Sequence, residues 1–217
     1  MNTEGIGCHA PKRIKELLNS SDRRIVVNAA LRIASHRREY MDSGDQWKRG
    51  LIGDLEIPGI GTLPATAAPL YVGLCAEAAT IVYLNRATGL TLSIKDCLLA
   101  NGDGGGDITA HGCSIQVKCR QADSIHAKQK LSLVRYATDR GRIVFPNTTA
   151  LVFCETTIET SCVSLLGWMY VVHAKQLEKV PARKGNHFNI EVPDFLLEPM
   201  SSLVDNITAR MEFGNCP

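Results

Sequence analysis

Residues 70–90 read LYVGLCAEAATIVYLNRATGL. Alanine and leucine dominate, apolar residues recur at helical spacing, and Gly89 stands where a left-handed cap would end a helix. The segment is apolar nearly all round. A helix of that kind is stable only when covered, so the remaining chain has to be arranged around it. One polar exception, Glu77, lies in its middle, where an unpaired carboxylate would be costly. An ion pair with Arg86 or with a lysine is the bland account of it.

The elements on either side set the fold class. The stretch APKRIKELLNSSDRRIVVNAALRIASHRREYMDSG predicts two helices, broken and capped at Asn19–Asp22, with arginines 23, 24, 32, 37 and 38 around an apolar stripe. Glycines and prolines make GLIGDLEIPGIGTLPATAAP an irregular connector. Its G-x-G is too common in loops to mark a phosphate site, and no P-loop or dinucleotide fingerprint occurs anywhere. The segment DITAHGCSIQVKCR predicts a hairpin turning at Ala110–Gly112. A helix, alone or with a loop, is expected over ADSIHAKQKLSLVRYATDRGR. TALVFCETT and CVSLLGWMYVVHA predict strands, KQLEKVPARKGNHF a polar loop, and VPDFLLEPMSSLVDNITARM a closing helix. That closing helix has an apolar face at Leu196, Leu197, Met200, Leu203, Val204 and Ile207. Helices and strands in this order predict an α/β core, and 217 residues can bury it without staples. The expected division is a basic helical extension over 1–50, a connector over 51–69 and a core domain over 70–217.

Charge and cysteine usage narrow the class further. The net charge is only +2, so no global field advertises a polyanionic partner. The distribution is uneven: residues 1–49 hold ten Lys or Arg against six acids, and residues 115–142 hold seven against two. Solvated helix faces would explain both clusters equally well. None of the eight cysteines forms a C-x-x-C pair, which argues against a zinc ribbon or knuckle. Several lie in apolar runs, where cysteine behaves as a small hydrophobe. With no apolar leader at the N-terminus and no run of membrane length, the expectation is an intracellular protein with free thiols.

The predicted hairpin carries the chemistry. Gln116 and Lys118 are two residues apart and so leave one face of their strand, whereas Ile115, Val117 and Cys119 point to the core side. Asp107 begins the partner strand, near the level of Lys118. A carboxylate, an amide oxygen and an ammonium group therefore converge, as Mg²⁺-dependent phosphodiester hydrolysis requires. Asp107, and the backbone carbonyl of Val117, are hard oxygen ligands for such a cation. The cation would neutralise phosphate charge and acidify a water, with Lys118 offsetting developing charge. Asp103 competes with Asp107 for the acidic role.

The pattern D-x8-Q-x-K resembles the active-site hairpin of the PD-(D/E)XK, or restriction-endonuclease-like, nuclease superfamily. Members of that family carry an Asp on one strand and (E/Q)-x-K on the next, matched here by Asp107, Gln116 and Lys118. Many also place a Glu in a G-x-x-x-E context on the preceding helix, and Gly73 and Glu77 stand at that distance. SLLGWMYVV resembles a Gly-Trp strand of some phage and prokaryotic members. The similarity covers roughly residues 70–205. It implies a restriction-endonuclease-like core, with a mixed sheet of four to five strands flanked by helices. It further implies a Mg²⁺-dependent deoxyribonuclease, Mn²⁺ substituting, in a cytoplasmic phage or prokaryotic setting. The metal set implied is Glu77, Asp107, Gln116 and Val117, with Glu77 restoring the charge that Gln116, in place of the commoner Glu, does not carry. Lys128 and Lys130, on either side of Gln129, are the expected contacts to the DNA backbone.

Other side chains have plainer readings. His111 is a turn residue, His126 is ambiguous, and Trp168 is a core aromatic. Ser114 and Ser161 lack the context of an activated serine. Cys119 points to the core. A homodimer would suit cleavage of both strands. Two rival functions stay open: a non-catalytic nucleic-acid-binding module of the same fold, and an interaction or assembly protein using the N-terminal helices. Nothing in the sequence separates DNA from RNA.

Overall fold

The computed structural model describes residues 12–40, 54–99, 107–122, 131–136, 148–157, 162–181 and 188–213. Its elements begin with β1 (Ile14–Leu17), α1 (Ser20–Tyr40), the short hairpin β2 (Leu55–Ile57) and β3 (Gly61–Leu63), and α2 (Ala68–Thr88). There follow α3 (Ile94–Leu99), β4 (Ile108–Ala110), β5 (Cys113–Gln121), β6 (Leu131–Tyr136), β7 (Ala150–Thr157) and β8 (Cys162–Tyr170). The last are α4 (Val171–Ala174), β9 (Lys179–Pro181), β10 (Phe188–Pro193), a 3-10 turn at Asp194–Leu196, and α5 (Met200–Phe213).

Five strands form one mixed, curled sheet in the order β1-β8-β7-β5-β4. Only β5 and β7 run parallel; the other neighbours are antiparallel. A parallel pair needs a long crossover, and here the chain between β5 and β7 includes β6 of a second sheet, ordered β6-β10-β9. The central strands of the five-stranded sheet are apolar on both faces. Ile115, Val117, Val152, Cys154 and Leu165 pack into one core with α1, α2 and α5. Leu151, Phe153, Leu166 and Met169 face the other way, into a core with Ile190 and Val192 of β10. β7 contributes to both, which is why its sequence reads as a continuous apolar run rather than an alternation.

The helix α2 occupies the place its composition demands. Cys75, Ala76, Ala78, Ala79, Ile81 and Leu84 are all fully buried. α1 packs against it through Val26 and Ala30, also fully buried, and alanines on both helices favour close approach. Gly89 caps α2 at φ 75°, its N–H bonded to the Asn85 carbonyl. The Asn85 side chain both donates to the Leu92 carbonyl (2.9 Å) and accepts from the Leu92 N–H (2.8 Å), which locks the following turn. At the start of α1, Asn19 Oδ1 accepts the Asp22 N–H at 2.9 Å, as a capping residue does.

A bulge interrupts β8. Phe153 pairs with Gly167 but Cys154 pairs with Leu165, so Leu166 has no opposite number. Gly167 lies at φ 149°, backbone that a side chain rarely adopts. One extra residue reverses the alternation, so Leu165 and Trp168 end in the same core although they are an odd number of positions apart. Trp168 is buried, as expected of a core aromatic, and its indole N–H donates to Ser202 Oγ at 2.9 Å.

Several local expectations yield to pairing. The first helix expected before Asn19 is instead strand β1, antiparallel to β8. The otherwise open edge of β8 needs hydrogen-bond partners, and that outweighs a helical pattern of only a few residues. β1 also turns Glu16 inward and leaves Leu17 at the surface. Glu16 can be buried because Arg86 of α2 binds both its carboxylate oxygens, one at 3.1 Å. From the expected helical extension, Leu18, Val26, Ala30 and Ala34 pack into the same core as α2 and the sheet. Leu131–Tyr136, expected to be helical, is strand β6; the loop expected after Ala174 contains β9 and the start of β10; and the connector contains the β2–β3 hairpin. The closing helix starts only at Met200, with Leu196 exposed in the turn before it. No helix among the described residues is long and apolar enough to cross a membrane.

Candidate functional site

The hairpin of β4 and β5 forms as its sequence predicts. Its loop is His111–Gly112, at φ 42° and φ 72°. Two consecutive positive φ values match the twist of a tight hairpin, and histidine is among the few side chains enriched at positive φ. Thr109 pairs with Ser114 and Ile108 with Ile115. At the open end, the Asp107 N–H donates to the Ile115 carbonyl at 2.8 Å.

There the side chain of Asp107 takes over from the backbone. Its Oδ2 accepts the Val117 N–H at 2.7 Å and also a hydrogen bond from Gln116 Nε2. The carboxylate therefore stands where the next carbonyl of the ladder would be. Burial pushes its pKa up; the Val117 N–H, the Lys118 ammonium and the Gln116 amide pull the other way without cancelling that rise. Asp107, Gln116, Val117 and Lys118 are thus gathered at one corner of the sheet. Gln116 is buried and Lys118 half-buried. Val117 takes part through its N–H, and in an extended strand its carbonyl leaves toward the same edge.

Glu77 lies elsewhere in relation to β5. It is half-buried on α2, and its charge adds a small part to the rise that burial causes in the thiols of Cys97 on α3, Cys119 on β5 and Cys154 on β7. Cys119 faces the helices, so Glu77 approaches β5 from the helix-covered side, while Gln116 and Lys118 leave from the other. Arg86, one of the partners expected for Glu77, holds Glu16. Burial drives the Cys75 thiol up to about 12 and the Cys119 thiol to about 11, so both are poor nucleophiles at neutral pH. All the described cysteines are free thiols.

One cluster had no counterpart in the sequence reading. Arg120, two residues past Lys118 on the same face of β5, donates to Glu155 at 2.9 Å and to Asp194 at 3.1 and 3.3 Å. Arg13 closes the ring, reaching the same two acids at 3.2 and 3.4 Å. The Arg120 side chain is 8% exposed, against 46% for Arg13. The register Arg120↔Glu155 between β5 and β7 makes one contact of the ring, but Asp194 and Arg13 arrive from distant parts of the chain. No local pattern could have announced them.

Asp103, His126, Lys128, Gln129 and Lys130 lie outside the described residues. Among those described, no group of three or more His, Cys, Asp and Glu side chains is arranged to hold a metal ion. Set against protein-family models, curated proteins and solved structures, the chain shows no match to any of them.

Proposed function

We propose that the chain is a divalent-cation-dependent nuclease that hydrolyses DNA phosphodiester bonds, with a core of the restriction-endonuclease type. The observation that carries this reading is the meeting of Asp107, Gln116, Val117 and Lys118 at the open end of one hairpin. The five-stranded mixed sheet flanked by helices is compatible with it.

The donor set suits Mg²⁺, with Mn²⁺ as substitute. It offers one carboxylate, one amide oxygen and a backbone carbonyl, all hard oxygens, and Mg²⁺ characteristically keeps several waters and needs only one or two protein carboxylates. In the described state Gln116 turns its N–H toward Asp107, because two oxygens facing each other would repel. A half-turn of the terminal amide presents the oxygen instead. Asp107, Gln116 and the Val117 carbonyl would hold the cation; Glu77, the fourth ligand expected from the sequence, stands on the helix-covered side of β5. When bound, the cation supplies charge neutralisation at the phosphate and a water of lowered pKa.

The chain's own groups do the rest. The Val117 N–H fixes the Asp107 carboxylate in the plane of the sheet. Lys118 sets a compact positive charge beside it, suited to stabilising charge that develops on a phosphate oxygen. Partial burial of both makes those interactions stronger than they would be in water.

A second reading rests on the same hydrogen bonds. Asp107 already satisfies Gln116 and Val117, which is a complete architectural task for a strand-end residue. The chain would then bind nucleic acid without cutting it. Incubation of wild type and Lys118→Ala with linear, circular and branched DNA, with Mg²⁺ or Mn²⁺, separates the two. Cutting by wild type that is lost in the variant while binding persists supports the nuclease. Salt-sensitive binding with no cutting by either protein supports the binding module. Neither activity leaves an interaction or assembly protein.

A further inference from the structure

Cys119 of β5 and Cys154 of β7 are register partners in the parallel pair of the five-stranded sheet. Both side chains leave the face covered by α2. Adjacent strands lie about 4.7–4.9 Å apart, and a disulfide spans Cα atoms about 4.4–6.8 Å apart. Register partners on one face fall inside that window, so a bond between them needs rotation of two side chains and no refolding. The pocket around the two sulfurs is polar for a core. Thr156 Oγ1 lies 2.9 Å from the Cys119 sulfur, and Thr80 Oγ1 lies 3.8 Å from that of Cys154. Both threonines are buried. A cysteine that only fills space is served as well by methyl groups; here a hydroxyl stands beside each sulfur and can exchange a hydrogen bond with it. Among the described residues the two sulfurs belong to no donor group arranged for a metal ion. Cys119 is half-buried and Cys154 fully covered, so a small oxidant meets Cys119 first. Cys75 of α2, buried, is a third thiol within electrostatic reach of Cys119.

We propose that Cys119 and Cys154 are a redox pair, closed to a cross-strand disulfide by a hydroperoxide. The Cys119 sulfur attacks the O–O bond, which breaks; the sulfur becomes a sulfenic acid and the other oxygen leaves as water or an alcohol. The Cys154 sulfur then attacks the Cys119 sulfur, and the sulfenic hydroxyl departs as water with the Cys154 proton. The two thiols lose two electrons and two protons, and the peroxide takes them up. Burial holds both sulfurs in the protonated form, so closure is slow and the reduced pair persists where thiols are maintained. Lys118 precedes Cys119 on β5, so drawing Cys119 toward β7 moves the Lys118 ammonium relative to Asp107. That consequence, unlike the bond itself, rests on the nuclease reading above.

The test treats the full chain with hydrogen peroxide and then with dithiothreitol, using wild type, Cys119→Ser, Cys154→Ser and Cys75→Ser. Peptide mapping of the unreduced digest should find the Cys119–Cys154 link in wild type and in Cys75→Ser, and in neither of the other two. Cleavage of DNA by oxidised wild type should fall about tenfold or more, as expected when a catalytic group is displaced, and should return on reduction. Peroxide should leave cleavage by Cys119→Ser unchanged. If the buried Cys154→Ser does not fold, Cys119→Ser, a change of one atom at a half-buried position, still decides the outcome. A wild-type map that joins Cys119 to Cys75, or leaves Cys119 and Cys154 unlinked, overturns the pair. A mapped bond with unchanged cleavage overturns its effect on the corner. A mapped bond in a protein that never cuts DNA, oxidised or reduced, overturns the nuclease reading and leaves the pair standing.

Discussion

Two charged clusters share strand β5, two residues apart, and they are built on opposite logic. In the ring of Arg13, Arg120, Glu155 and Asp194, two cations face two acids, and each arginine touches both. At the hairpin corner a single buried carboxylate, Asp107, takes two hydrogen bonds and the field of one lysine, and its proton affinity still rises. The ring is complete in itself and leaves nothing for a ligand to supply. The corner is incompletely compensated, and a divalent cation is the kind of group that would complete it. The difference shows why density of charge is a poor guide to function: the larger cluster balances its own charges, and the proposed site lies in the smaller one.

The comparison breaks most visibly at the corner. Lys118→Ala should reduce Mg²⁺-dependent cleavage by about 10²- to 10⁴-fold, with DNA affinity nearly unchanged, as read by single-turnover cleavage beside a binding titration. The same substitution should move the denaturant midpoint less than the loss of Arg120 does, since Lys118 is only half-buried. Arg120→Ala should do the reverse. It leaves Glu155 and Asp194 facing each other with only the more exposed Arg13 between them, and should cost about 3–5 kcal/mol in urea unfolding. If Arg120→Ala abolished cleavage in a protein that unfolds normally, the ring would belong to the site and the contrast would fail. Arg13→Ala sharpens the point, because an arginine nearly half exposed should contribute no more than about 1 kcal/mol.

The smallest effect has the opposite sign. Burial raises the folded pKa of Asp107, so the folded state binds a proton more readily than the unfolded chain does. Wild-type stability attributable to this group is full below the unfolded value and is lost as pH rises through the folded one. Asp107→Asn removes that loss. Its oxygen can still accept the Val117 N–H, so the variant should melt slightly higher than wild type at neutral pH. The two should converge as the pH is lowered past the usual carboxylate range. Differential scanning calorimetry across pH measures this, and a variant less stable than wild type at neutral pH would show that the charge of Asp107 is needed by the fold. Cleavage should be lost in either case.

How much of this was legible beforehand follows from the distance over which each feature is encoded. The turn at His111–Gly112, the pairing of Asp107 with its neighbours across the hairpin, the cap at Gly89 and the burial of α2 all depend on residues within about a dozen positions of one another. Turn chemistry, period and composition report such features directly. Strand β1 was misread because its four residues fit a helix as well as a strand, and the choice was made by β8, far along the chain. Glu77 was correctly seen as unusual, but the side of β5 it approaches depends on how α2 rotates against the sheet, which no spacing within α2 specifies. The ring was out of reach altogether, since Arg13 and Glu155 are separated by 142 positions.

By itself, then, the sequence determined the α/β class, the largely buried helix and the hairpin that brings an acid, an amide and an amine to one end. Only the tertiary structure decided which strands close the sheet and which charges cancel. The physical reason is that hydrogen-bonded turns and apolar periodicity act along the chain, whereas strand partners and buried ion pairs form between segments that meet only once the core has assembled.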